Sequence, residues 1–178
     1  MKDNDLFFLM LKDCSLVSDL DLVYLAMGGF GVVFIMPGTN VVLKFIYSQG
    51  NIKESINEFD IATKIFTLYN DLGFVNTITR PLIKISCTDV NKSVFNKIYK
   101  TVLDHNEGYA LDFYEMTDGT REFEILAYEY IAGKPLYSAL VEQDLDSTTI
   151  VHIILILLCT LIGVGFVTDG KFCHSDLH

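Results

Sequence analysis

Residues 150–167, IVHIILILLCTLIGVGFV, carry no formal charge over eighteen positions. A helix of that composition is apolar all round, so protein or lipid has to cover it. The length is the threshold at which a membrane span has to be considered. His152 and Thr160 interrupt the run, Gly163 and Gly165 weaken its far end, and no basic residue flanks it directly. The stretch is therefore read as a buried core helix. Left bare it would exceed the apolar patch that a monomer tolerates. It is thus also the expected surface for a homodimer or for docking on a partner protein.

The rest of the composition narrows the classes. A chain of 178 residues makes one ordinary domain or two small lobes. Twenty-three acids against 13 basic residues give a formal charge of −10, which argues against a general nucleic-acid binder. A nucleotide site survives that argument, because one or two cations suffice there. Cys14, Cys87, Cys159 and Cys173 are widely spaced, with no C-x-x-C pair and no metal-like spacing. Ordinary buried, reduced thiols in an intracellular, cytoplasmic protein are expected. The start, MKDNDLFFLMLKDC, lacks the basic region and small-residue cleavage site of a signal peptide.

Hydropathy patterning supplies the elements. After an opening helix or irregular segment, strands are predicted near 22–27, over the β-branched GVVFIM at 31–36, and over VVLKFIY at 41–47, with PGTN at 37–40 as a turn. Apolar residues at Ile56, Phe59, Ile65, Phe66 and Tyr69 predict an amphipathic helix over 53–72, stopped near Gly73. A strand over 78–86 and a helix over 90–103 follow. YALDFYEM and REFEILAYEYI flank Asp118-Gly119, a hairpin signal. A short helix over 136–143 precedes the apolar stretch.

Two local features bear on chemistry. AMGGFGVVF at 26–34 places three glycines around Phe30, and VVLKF at 41–45 places Lys44 alone among apolar residues. Glycines let backbone N–H groups approach a phosphate without a Cβ in the way. Equally, this is what a glycine-rich turn and a lysine on a half-exposed strand look like. Glu54 and Glu58, on the next predicted helix, can each supply a carboxylate to Lys44.

In this order the pieces resemble the N-terminal lobe of a protein kinase. The glycine loop of that family, G-x-G-x-x-G-x-V, is matched from Ala26 to Val33, with alanine at the first glycine. VVLK resembles the family's V-A-I-K, with Val42 at the alanine position. The resemblance implies that Gly28, Gly29, Phe30, Gly31 and Val33 cover ATP. It implies that Lys44 contacts its α- and β-phosphates, and that Glu58 rather than Glu54 fixes Lys44. YEYIAGKPLYSAL at 128–140 resembles the interlobe linker. Tyr128 is then the gatekeeper, and the Glu129 carbonyl and Ile131 N–H meet the adenine edge. Pro135 stands where many kinases keep a ribose-binding acid. CHSDLH at 173–178 resembles H-R-D-L, which makes Asp176 the catalytic base and His174 structural, with Ser175 in place of arginine. His178 resembles the form found in small-molecule kinases. The GGFGVVF, NEF and HxDL pieces are similar to divergent viral serine/threonine kinases of the poxvirus type.

The implied fold is α+β. A kinase-like lobe of five antiparallel strands and one helix spans 22–131, with an insertion near 88–118, after an N-terminal extension at 1–21. A partial, mainly helical second lobe spans 132–178. The catalytic-loop asparagine would fall at position 181 and no D-F-G occurs, so the Mg2+ ligands are mostly missing. The expected activity is ATP γ-phosphate transfer to a protein substrate only in a longer form. The alternatives are a catalytically inactive pseudokinase that binds a partner, including a host kinase, and a fragment of a small-molecule kinase.

Overall fold

The computed structural model describes residues 14–28, 31–46, 49–73, 79–87, 92–105, 108, 123–133, 136–142 and 145–167. The expected hairpin around Asp118-Gly119, the end of the expected insertion from residue 109 on, and Asp176 with its neighbours lie outside the described residues.

The chain divides into two compact units. One comprises Met1–Phe59 and Pro81–Tyr130, the other Asp60–Arg80 and Ile131–His178.

The first unit is built on strands β1 (Val23–Gly28), β2 (Gly31–Met36), β3 (Val41–Ile46), β4 (Pro81–Cys87) and β5 (Phe123–Glu129). They form one antiparallel sheet in the order β1-β2-β3-β5-β4. The molecule is therefore α+β, with four α-helices among the described residues. Alternation with a period of two sorts the side chains by face. Val32, Phe34, Leu43, Phe45, Ile125 and Ala127 fall on one face and are buried in a single core. Phe34 and Phe45 meet edge to face at 5.4 Å, a favoured aromatic geometry.

That face is covered by a 3-10 helix (Cys14–Asp19), which buries Val17, and by the helix Lys92–Leu103, which buries Val94, Ile98 and Val102. The spacing of four residues puts those three side chains in one stripe. Lys97, on the same helix, donates to the carbonyls of Ser18 (2.8 Å) and Leu20, which end the 3-10 turn. A disulfide joins Cys14 to Cys87 across 73 residues. The expectation of four unpaired buried thiols is thus corrected: Cys14 and Cys87 are bonded, and Cys159 is free but exposed. Proximity comes from the sheet, because β4 ends where the 3-10 helix begins to pack.

The turn Pro37–Asn40 behaves as its residues require. Gly38 takes φ +76°, and Thr39 donates both its N–H (3.1 Å) and its hydroxyl (2.9 Å) to the Met36 carbonyl. β5 has β3 on one edge and β4 on the other along its length. β5 is therefore an inner strand of the sheet.

Helix α1 (Gln49–Asp71) contributes Phe59 to the first unit and its later turns to the second. The helix Lys92–Leu103 is α2, and α3 (Leu136–Val141) and α4 (Ser147–Val167) follow. In the second unit, Ile65 and Tyr69 of α1 are buried, and the Tyr69 hydroxyl donates to the Cys159 carbonyl of α4 at 2.8 Å. A Cβ at Gly163 would lie 2.6 Å from that hydroxyl. Gly163 is therefore the position at which the Tyr69 ring lies against α4, rather than only a weak point in the helix.

Asp146 caps α4: its Oδ1 accepts the Thr149 N–H at 2.7 Å, while its carbonyl accepts from Ile150. Among the described residues no helix is long and apolar enough to cross a membrane. The longest unbroken apolar run in α4 is Ile153–Cys159, between His152 and Thr160. The expectation of a buried helix is not met along most of its length. Ile154, Leu155, Leu158, Ile162 and Phe166 are each 50–75% exposed.

Candidate functional site

The sheet face opposite the aromatic core carries the residues singled out by their chemistry. Strand registers place Ala26, Val33, Lys44, Leu126 and Lys84 in one row across all five strands. Directly opposed residues point to the same face, so this row is a shared surface. Val42 and Tyr128 are paired in the row two residues along. Phe59 of α1 covers part of this face, packing with Ile46, Leu126 and Tyr128. The Phe59 and Tyr128 rings meet at 5.4 Å and 65°.

Lys44 is brought to Glu58. Its Nζ lies 3.4 Å from Glu58 Oε2, with the lysine side chain 23% exposed and the glutamate 68% exposed. β3 holds the lysine by the ladder to β2 and β5, and α1 presents Glu58 one residue before the anchored Phe59. The separation is long for a charge-assisted bond, which centres near about 2.8 Å. With one partner well solvated, such a pair contributes about 0–1 kcal/mol to stability. Its value to the fold is small, so the fold alone gives little reason for it. The Glu54 side chain lies outside the described ones.

Nearby, burial and then the Glu58 carboxylate push the Tyr128 phenol well above its ordinary range. Tyr128 is therefore neutral under all ordinary conditions, an apolar wall with a hydroxyl at its end.

The glycine hairpin divides into two kinds of position. Gly28 pairs with Gly31 at the end of the β1–β2 ladder, and Gly29 and Phe30 lie outside the described residues. Gly31 has φ +151°, and a Cβ there would sit 2.1 Å from the Phe45 carbonyl oxygen. Glycine is thus required at 31 by packing against β3, whatever else it does. Gly28 has nothing within 4 Å of a built Cβ, so the fold makes no steric demand for glycine there.

Glu129 ends β5 opposite Val41, and the next residue, Tyr130, donates its N–H to Asn40 at 2.8 Å. The turn between β2 and β3 thereby fixes where β5 stops. Ile131 is 64% exposed and belongs to the second unit. Asp176, the candidate base, lies outside the described residues. Among the described residues no group of three or more His, Cys, Asp or Glu side chains could hold a metal ion.

Sequence reasoning missed Glu124. It is the one buried charged side chain among the described residues, 9% exposed, and its Oε2 has no hydrogen-bond partner. The alternation Glu124, Leu126, Tyr128 against Phe123, Ile125, Ala127 was the available signal. It places Glu124 on the face of Lys44 and away from the aromatic core.

No protein-family model matches the chain, and no curated protein matches it.

Proposed function

We propose that the chain is a kinase-like, ATP-binding protein of the serine/threonine type, with the sheet face of Lys44 as its nucleotide surface. The observation that carries this reading is the Lys44–Glu58 pair, a lysine on the third strand met by a carboxylate from the following helix at 3.4 Å.

On this reading the Lys44 ammonium lies against the α- and β-phosphates, and Glu58 holds it in place. Val33 and Val42 offer β-branched surface on the same side of β2 and β3 for the adenine ring, with Tyr128 behind Val42. The backbone N–H groups of Gly28 and Gly31, at the end of the β1–β2 ladder, approach the phosphates. The Glu129 carbonyl, at the end of β5, reads the adenine edge. Asp176 accepts the proton of an acceptor hydroxyl. Mg2+ neutralises phosphate charge in this class of reaction. Among the described residues no group of side chains fits a metal seat. The binding reading stands without transfer, which needs the metal-binding aspartate and catalytic-loop asparagine of the family pattern.

The test is titration of the full chain with a fluorescent ADP or ATP analogue. Lys44→Ala is expected to abolish binding; unchanged affinity would overturn the reading. A second reading, a catalytically silent interaction module, is favoured by one observation, the exposed apolar side chains of α4. There, partner binding survives Lys44→Ala and is lost on polar substitution of Leu155 and Leu158.

A further inference from the structure

Lys44 shares its sheet face with a second carboxylate. Lys44 is paired with Leu126, and Glu124 is paired with Ile46, so Glu124 is the diagonal neighbour of Lys44 across the β3–β5 ladder. Diagonal neighbours stand about 7–8 Å apart, within reach of long side chains. The two carboxylates differ sharply. Glu58 is two-thirds exposed and holds the ammonium at 3.4 Å, where water competes for both groups. Glu124 is buried, with an oxygen that has no partner. A buried carboxylate oxygen left without a partner is costly in a protein interior, and an ammonium brought to it relieves that cost. Lysine has three donors, and the Glu58 contact uses one.

We infer that Glu124 is a second seat for the Lys44 ammonium, alternating with Glu58. Glu124 is thus a positioning residue for Lys44. With the ammonium on Glu58 it stands toward the helix; with the ammonium on Glu124 it is withdrawn along β3 toward Ile46. The consequence for phosphate, that Glu124 draws Lys44 away from a nucleotide, rests on the nucleotide reading above. The exchange itself does not. Lys84 is the competing cation, because β4 places it diagonal to Glu124 from the other side.

The experiment is limited acylation of the full chain with acetic anhydride, the rate at each lysine being read by peptide mass spectrometry. Contact with a carboxylate shields an amine from acylation. Glu58→Gln alone is expected to raise the Lys44 rate by less than roughly threefold, because Glu124 takes the ammonium. Glu58→Gln with Glu124→Gln is expected to raise it well beyond roughly threefold, a non-additive pair. The inference is overturned if Glu58→Gln alone gives the full rise. It is equally overturned if Glu124→Gln changes the rate at Lys84 and not at Lys44 in the Glu58→Gln background. Gln is isosteric with Glu; Glu124→Met, of similar length, serves the same comparison should the Gln variant melt early. Nucleotide titration of the wild type separates the two proposals. Absent binding with a non-additive acylation pattern sinks the nucleotide reading alone, and an additive pattern sinks the second seat alone.

Discussion

The two faces of the one sheet are made by the same strands and answer to different demands. Phe45 and Lys44 are neighbours on β3. Phe45 is fully buried, edge-on to Phe34, under the 3-10 helix and α2. Lys44 points the other way and touches a solvated glutamate. On the first face nearly every side chain is apolar and packing explains its identity. On the second, a lysine, a buried glutamate and a raised tyrosine stand where apolar residues would fold as well. What the fold does not need is where function is to be sought, and that contrast carries the nucleotide reading.

The contrast can be broken most directly on β3. Phe45→Ala empties a core position and is expected to cost about 3–5 kcal/mol in urea unfolding. Lys44→Ala, one residue earlier, is expected to cost about 1 kcal/mol or less. Comparable losses from the two would erase the distinction between the faces.

The staple on the apolar face comes next. Replacing Cys14 and Cys87 by serine is expected to lower stability by about 2–4 kcal/mol, and reductant should do the same to the wild type. Unfolding that is indifferent to both would mean that the bridge does not form.

The hairpin gives a smaller, sharper comparison. Gly31→Ala meets the Phe45 carbonyl and a positive φ, and is expected to destabilise by about 1–3 kcal/mol. Gly28→Ala should change stability by no more than about 0.5 kcal/mol. If nucleotide binding falls in the Gly28 variant while its melting point holds, the close backbone approach to phosphate gains direct support.

The smallest effect lies in the other unit, at the start of α4. Hydrogen bonds from the Thr149 backbone and then its side chain hold the Asp146 carboxyl below its usual range. A depressed folded pKa contributes stability that is present above the ordinary aspartate value and is lost as pH falls through the depressed one. Far-UV circular dichroism should therefore show a slight loss of helix on acidification below the ordinary carboxylate range, absent in Asp146→Asn.

Much of this was legible in the residues. GVVFIM and VVLKFI announce β2 and β3 through β-branched and aromatic content, and PGTN marks the turn between them with no other reading open. Residue spacing left Glu54 and Glu58 both open to Lys44, the kinase resemblance favoured Glu58, and the structure brings Glu58 to Lys44. The Cys14–Cys87 bridge was not legible, because nothing local links residues 73 apart until the sheet assembles. The place of β5 between β3 and β4 was not legible for the same reason, because strand order is a long-range property. Gly31 was read as a concession to phosphate, and the structure adds a packing demand against β3 that a sequence cannot display. The apolar run of α4 was recognised as needing cover, and its exposure is what keeps the interaction reading open.

The central claim is that the Lys44 face binds adenine nucleotide. The most direct measurement is isothermal titration of the full chain with ADP, run in parallel on Lys44→Ala with thermal melts to show that both are folded. Saturable binding to the wild type and none to the variant, at equal stability, is the expected result. Equal binding by both proteins, or none by a folded wild type, would contradict it.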